Sequence, residues 1–498
     1  MDFLTGAVCL CLSWILVQAF RRIPSGNSIH RKLPPGPKPL PVIGNLLDLG
    51  VKPHKSLDKL AKVHGPIMSL KLGQVTTIII SSAHTAKEVL QTHDQYLCNR
   101  SIPDAIRALK HDELGMPWIP VSTQWRNLRK ICNGHLFASK VLDANKDIRR
   151  KKVQELLAET RQSSLTGEAV NIGRAAFKTT LNLLSNTIFS VDLAHPNSDT
   201  AREFKEIAWN IVQEAGKPNL ADFFPMLKVI DPQGIRQRMS IHFGKFLGVF
   251  DRMISQRLQL RKLSGSVTNG DMLNTLLDIS EKDSEEMDKA KLERLFLDLF
   301  VAGTDTTSAT LEWAMAELLH NPNALSKAKE ELERVIGKGN AVEESDIARL
   351  PYLQAIVKET FRLHPAVPFL LPRKAETDVE INGYVIPKGA QVLVNAWAIG
   401  RDTNLWDNAN FFLPERFLDS EIDVRGRNFE LIPFGGGRRI CPGLPLAIRM
   451  LHLMLGSLIH NFDWKLEDGV KSEELNMEDK FALTLQMAYP PRAIPIPV

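Results

Sequence analysis

One segment of the 498-residue chain narrows its possible folds more than any other: Pro433-Phe434-Gly435-Gly436-Gly437-Arg438-Arg439-Ile440-Cys441-Pro442-Gly443, leading into the apolar run Leu444 to Ile459. Three consecutive glycines allow the backbone to approach something flat very closely. Arg439 can reach an anionic group. Cys441 stands at the mouth of a helix, where the turn after Pro442 presents backbone N–H groups toward the sulfur and favours thiolate over thiol. A lone thiolate in an apolar setting suits haem iron. A phosphate loop, another anion site and an inert buried cysteine compete with that reading. The glycines do not spell GxGxxG and no Gly-Lys-Ser/Thr follows, so a nucleotide cradle fails.

The other cysteines do not change this picture. Cys9, Cys11, Cys98, Cys132 and Cys441 form no CxxC pair and are odd in number, which supports neither a disulfide framework nor a zinc site. With 62 Lys+Arg against 57 Asp+Glu, the net charge of +5 implies no nucleic-acid surface. An apolar content of 44% with 24% charged residues excludes collagen, a disordered tail protein and a multi-span transporter.

Phe3 to Phe20 carries no charge, while Asp2 precedes it and Arg21, Arg22, Arg31 and Lys32 follow. These flanks favour a retained single-pass anchor over a cleaved signal, with the body on the cytosolic side. Residues 1–22 are therefore read as the anchor, 23–45 as a basic and proline-rich hinge, and 46–498 as the body. The stretch Leu33 to Pro41 should act as a stiff spacer. In this topology the sequon Asn99-Arg100-Ser101 should carry no glycan.

In the body, Ser56–Lys62 reads as a short helix, and Ile67–Leu72 and Val75–Ser81 as a hairpin around Gly73-Gln74. Ala83 to Arg362 is mostly helical. Val379 to Asn395 is again β-rich, with turns at Asn382-Gly383 and Lys388-Gly389. A long loop then runs to Gly443. These features predict one large, mainly α domain with small peripheral sheets.

Three further motifs carry chemistry. Ala302-Gly303-Thr304-Asp305-Thr306-Thr307 interrupts the apolar helix Leu295–Leu319, with Ala302 and Thr306 on one face and Asp305 beside it. A Thr bonded back to its own turn is the plainer reading of that motif. Glu359 and Arg362 can pair across one helical turn before His364-Pro365 ends the helix. A second Glu-x-x-Arg, from Glu331 to Arg334, reads as part of a solvated face. Trp125 and Arg129 share a face suited to a carboxylate.

Together these residues resemble the cytochrome P450 family of haem-thiolate monooxygenases over essentially the whole chain. Phe434, Gly437, Arg439, Cys441 and Gly443 match its Phe-x-x-Gly-x-Arg-x-Cys-x-Gly pattern. The resemblance implies the P450 fold and haem b (iron protoporphyrin IX) ligated by Cys441, with Phe434, Gly443 and Ala302 against the cofactor. It implies propionates held by Trp125, Arg129, Arg373 and Arg439, and proton handling by Asp305 and Thr306. It implies a structural cluster of Glu359, Arg362 and Arg416 that shapes the cysteine loop. Its partners would be O₂, a small hydrophobic substrate and a membrane-bound NADPH-cytochrome P450 reductase at the endoplasmic reticulum, with Arg126, Lys130 and Arg438 candidates for docking.

Pocket segments carried over from the family are Ser101–Trp118, Ala208–Glu214, Leu295–Asp305, Ala366–Leu371 and Ala482–Leu485. Pro218–Pro225, Asp231–Ile235 and Met477–Gln486 look like the plant branch containing geraniol 8-hydroxylases, which points to a terpenoid alcohol. Ala482 replaces a glycine expected in much of that branch. Diterpenes, fatty acids and xenobiotics remain alternatives. So do a haem-thiolate isomerase or dehydratase that needs no O₂, and a haem-binding scaffold without catalysis.

Overall fold

A computed structural model of the protein describes residues 32–194, 199–264, 271–283 and 285–498. The anchor assigned to residues 1–22 and the first part of the hinge lie outside the described residues. Among the described residues no helix is long and apolar enough to cross a membrane.

The main helices are α1 (Pro53–His64), α2 (Thr123–Ile131), α3 (Lys146–Thr166), α4 (Ile172–Phe189), α5 (Asp199–Gly216), α6 (Ile235–Ser264), α7 (Lys289–His320), α8 (Pro322–Ile336), α9 (Pro351–Leu363) and α10 (Leu444–Asn461). Their starts follow local chemistry. Ser122 accepts from the Trp125 N–H at 3.2 Å to open α2. Asp288 does the same for Lys291 at 2.8 Å in α7, and prolines open α8 and α9.

One antiparallel-rich sheet lies to the side. Its strands β1 (Ile67–Leu72), β2 (Val75–Ile80), β3 (Asn99–Arg100), β4 (Arg373–Lys374) and β5 (Gln391–Val394) run in the order β1-β2-β5-β4-β3. A separate hairpin turns at Asn382-Gly383, both residues at positive φ. Near the carboxyl terminus, β6 (Asp479–Lys480) and β7 (Gln486–Met487) form a second hairpin. These C-terminal strands are too short to leave a periodic signature.

Helix α7 organises the interior. Its amino-terminal half, including Leu295, Phe296 and Phe300, belongs to one apolar core with α4 and α6. Its carboxyl-terminal half, including Leu311, Met315 and Leu318, belongs to a second core with α9 and α10. The polar stretch from Gly303 to Ser308 falls at the seam between them.

The proline-dense stretch does not behave as a free spacer. Ser69 of β1 donates through its N–H to the Pro35 carbonyl at 2.8 Å and through its hydroxyl to the Pro34 carbonyl at 2.7 Å. A Cβ on Gly36 would lie 1.9 Å from the Ser69 carbonyl. The stretch thus lies against β1, because its carbonyls supply acceptors that a proline chain cannot use itself. Residues 34 to 36 of the stretch read as hinge thus pack directly on the body.

Candidate active site

The cysteine loop is folded tightly on itself. Cys441 donates its N–H to the Phe434 carbonyl and Ile440 to that of Gly437, at 3.0 and 3.1 Å. Gly435 and Gly437 have φ of +70° and +69°. A Cβ at Gly437 would sit 1.9 Å from the Leu90 carbonyl, and one at Gly436 3.2 Å from the Phe429 ring. Gly437 is therefore required by the approach of the protein's own chain, and Gly436 has little room to spare beside Phe429. Gly443 caps α10, and a Cβ there would lie 3.8 Å from the Cys441 sulfur, an ordinary contact.

The Cys441 sulfur lies deep in the protein yet keeps accessible surface, so that surface opens inward. Burial pushes the thiol above its ordinary value. The Gly443 N–H, the Arg129 guanidinium and the Leu444 N–H oppose the shift without cancelling it. A cation bound at the sulfur, such as a metal ion, would favour the thiolate.

On α7, Ala302 is exposed between buried neighbours Phe300 and Thr304. Three hydroxyls at the seam bond back within the helix: Thr304 donates to Phe300 at 2.6 Å, Thr306 to Ala302 at 2.7 Å and Ser308 to Thr304 at 2.9 Å. Thr306 thus adopts the back-bonded arrangement. Asp305 is buried and reaches outward instead. Its Oδ2 accepts from the Thr484 hydroxyl at 2.5 Å and its Oδ1 from the Gln486 amide at 2.8 Å. Burial raises its carboxyl to about 6 against these two donors. Among the described residues no hydrogen bond joins Asp305 to Thr306.

Several guanidinium groups converge beside the loop. Arg373 pairs with Asp94 at 3.0 Å. Arg439 donates to the Ile119 carbonyl at 2.6 Å, and Arg129 to the Ile440 carbonyl at 2.7 Å. The Arg439 and Arg129 cations lie 5.1 and 5.7 Å from the Trp125 ring centre. Arg100, which sequence reasoning noticed only as part of a sequon, belongs to the same group. It stands directly opposite Arg373 in the β3–β4 register and donates to Leu371 at 2.9 Å. Burial, then Arg373 and Arg439, push Arg100 well below its usual range. Burial likewise brings Arg439 down to about 10.

Like charges opposed across a strand pair are unfavourable. Asp94, shared with Arg438 at 2.5 Å, is the one carboxylate bonded to this group among the described residues. Arg439 Nε is buried without a partner. Surplus cations and an unmet donor next to an inward-facing cysteine fit a planar iron macrocycle bearing two carboxylates. Cys441 would ligate the metal, and Arg100, Arg129, Arg373 and Arg439 would hold the carboxylates.

Arg438 is spent on Asp94, whereas Arg126 and Lys130 are exposed. The Asn99 side chain of the sequon accepts from the Val121 N–H at 3.0 Å and donates to Glu376 at 3.2 Å.

The Glu359–Arg362–Arg416 cluster is assembled. Arg362 meets Glu359 twice, at 2.6 and 2.7 Å, and Arg416 meets it at 3.1 Å. Arg362 also donates to the carbonyls of Gly400, Ala409 and Phe411. Its direct hold is thus on the 400–416 segment. The cysteine loop is reached through Phe361 against Phe434, ring centres 5.1 Å apart. Glu331, expected on a solvated face, is buried and accepts from the N–H groups of Tyr352 and Leu353 at 2.8 and 2.9 Å. It caps α9, whose first donors need an acceptor that its own leading proline cannot give.

A cavity of about 150 Å³ is lined by Pro103, Ile106, Trp118, Ala215, Gly216, Val367 to Leu370, Pro372, Leu393 and Phe481 to Leu483. Segments Ser101–Trp118, Ala366–Leu371 and Ala482–Leu485 contribute to it as expected. Helix α5 contributes just beyond Ala208–Glu214. Leu295–Asp305 does not line it, since most of that segment is core. Ala482 packs against Gly216, where a Cβ would lie 2.7 Å from the Ala482 carbonyl carbon.

Comparison with known proteins agrees with this geometry. The cytochrome P450 family model matches residues 34–489. The chain is 57% identical over 495 residues to geraniol 8-hydroxylase of Catharanthus roseus, covering 99% of each chain. It is 53% identical over 498 residues to 7-ethoxycoumarin O-deethylase of Helianthus tuberosus, covering both chains in full. It is also 52% identical over 495 residues to drimenol monooxygenase of Persicaria hydropiper, covering 99% of this chain and 97% of the relative.

Proposed function

The chain belongs to the cytochrome P450 family, whose members are haem-dependent monooxygenases, and from that premise we propose that it hydroxylates a small terpenoid, most closely a monoterpene alcohol such as geraniol. Its class is that of an oxidoreductase using O₂, a redox partner and a small substrate. The observation that carries the substrate reading is the cavity: its lining is apolar apart from the Trp118 indole, which suits a hydrocarbon skeleton with few polar handles. The identity to a geraniol hydroxylase and a drimenol monooxygenase supports it.

Bound haem, taken here as haem b, supplies O₂ activation and transfer of one oxygen atom to carbon. The chain's own residues do the rest. Cys441 would ligate the iron, and the arginines would neutralise the two carboxylates. The apolar wall from Val367 to Leu370 orients substrate and excludes water. Asp305, near neutrality in its titration, can hold and release a proton at its carboxyl oxygens.

Electrons would come from NADPH-cytochrome P450 reductase at the endoplasmic reticulum membrane. The uncharged run Phe3 to Phe20 supports membrane attachment, and so do two exposed apolar segments. Leu47 and Val51 on one, and Met226, Val229 and Ile230 on the other, are 66–91% exposed. Both flank the β1–β2 turn, where Gln74 donates to the Phe223 carbonyl at 2.8 Å.

The test is turnover of purified protein with reductase, NADPH and O₂ against geraniol, related monoterpenols, drimane alcohols, diterpenes and 7-ethoxycoumarin, with product identification. A hydroxylated monoterpenol formed faster than other products is expected. Inert monoterpenols beside an active diterpene or coumarin would overturn the substrate reading, and turnover without O₂ would overturn the reaction.

A further inference from the structure

The C-terminal hairpin connects the cavity to the one acid at the seam of α7. Its tip, Phe481 to Leu483, is cavity wall. The next residues turn to α7: Thr484 and Gln486, both buried, meet the two carboxyl oxygens of Asp305. Between them the Leu485 carbonyl accepts from the Trp313 indole at 3.1 Å, and the Leu485 N–H donates to Ala366 at 2.8 Å. The root of the hairpin is fixed as firmly. Asp479 of β6 accepts from Lys52 at 2.9 Å, from Lys55 at 2.8 Å and from His54 at 3.1 Å, tying it to α1 and the residue before it.

Among the described residues no charged group is paired with Asp305. Besides burial, only the two neutral donors act on it. The charged groups on the packed elements are engaged elsewhere, His364 with Glu317 at 2.6 Å on the next turns of α7 and Asp479 with α1. A lone ionisable carboxyl is costly in such a place unless it has work to do. The donors belong to the same hairpin as the cavity wall, because Phe481 to Leu483 immediately precede Thr484.

We propose that Thr484 and Gln486 are positioning residues that hold the Asp305 carboxyl on the hairpin side of α7 and set its titration, so that its proton is offered to the site from one fixed place and is misdelivered when the hold is lost. The proposal rests on the monooxygenase reading for what the proton is used for. The hold itself is a property of the chain.

The experiment is an infrared pH titration of the ferric holoenzyme, with the carboxyl band of Asp305 assigned by its loss in Asp305→Asn. Thr484→Val removes one donor with little change of volume. It should raise the Asp305 midpoint by about one pH unit, since the lost hydrogen bond favours the charged form. In turnover it should also raise peroxide formed per product at least about twofold. Thr484→Ser should restore both, and Gln486→Leu should repeat both in an independent background. Midpoints unmoved in both variants overturn the proposal, as do moved midpoints with unchanged peroxide-to-product partition. If the wild type makes no product from any terpenoid, the substrate reading fails while the infrared midpoint still decides whether the hold exists.

Discussion

Two arginine clusters flank the cysteine loop, and they are built on opposite principles. Around Glu359, two guanidinium groups share one carboxylate, and the remaining donors of Arg362 end on backbone carbonyls. Around Asp94, which already holds Arg373 and Arg438, Arg100 and Arg439 add cations bonded to no carboxylate, Arg100 and Arg373 oppose each other across a strand pair, and among the described residues Arg439 Nε has no partner. The first cluster is complete within the chain and so serves the fold. The second is complete only with an anion from outside, and so serves binding. Equal residue types in equal burial thus separate by whether their hydrogen bonds close.

The contrast can be broken most severely at Glu359. Glu359→Gln leaves two buried guanidiniums without a counter-charge and should cost about 3–5 kcal/mol, read as loss of folded, haem-containing protein in thermal unfolding and in the reduced carbon-monoxide spectrum.

Asp305→Asn sharpens it from the other side, because Asp305 is a buried carboxyl met only by neutral donors. Its ordinary value is 3.8 and its folded value about 6. The folded state therefore holds the proton across a window in which the unfolded state has lost it. The stabilisation is fully present below 3.8 and is lost as pH rises through about 6. Asparagine should remove that slope and raise stability near pH 7.5 by about 2 kcal/mol, measured by unfolding across pH, while peroxide leakage rises. A stability profile that keeps its slope in the variant would assign the titration to another group.

Next is Arg439→Leu, which should leave the fold intact yet speed haem loss about tenfold in transfer to an apo-globin acceptor, since one charge-assisted contact is gone. Equal loss of fold and haem would erase the distinction between the clusters. The smallest effect is expected for Arg438→Ala. This half-exposed partner of Asp94 should change unfolding by less than about 1 kcal/mol and leave haem retention nearly as in the wild type.

The same contrast shows what a sequence can disclose. Elements with a long repeat were legible: β1 and β2, α7 and α10 lie within a few residues of where periodicity puts them. The cysteine loop and the Glu359–Arg362 pair were legible because local spacing carries them. Arg100 was not, because its meaning comes from standing opposite Arg373, far along the chain, in a strand of two residues. Glu331 misled for a related reason. Its neighbours Glu333 and Arg334 are exposed, and only the packing of α8 against α9 turns it inward. Thr484 and Gln486 lie in a hairpin with too few residues to alternate. Nothing in their spacing points to Asp305.

Gly437 shows a further side of the loop. With a Cβ at that position 1.9 Å from the Leu90 oxygen, the main chain there works as a datum surface against which the turn leading to Asp94 is gauged. Thickening it by one methyl would force the loop and the Leu90 turn apart and disturb the spacing of Asp94, whose carboxyl carbon lies 3.4 Å from that Cβ position, although no charged residue had been altered. The most recognisable letters of the motif therefore register a mechanical tolerance as well as a chemistry, and an engineer retuning this pocket would do better to move charges than to crowd the glycine that spaces them.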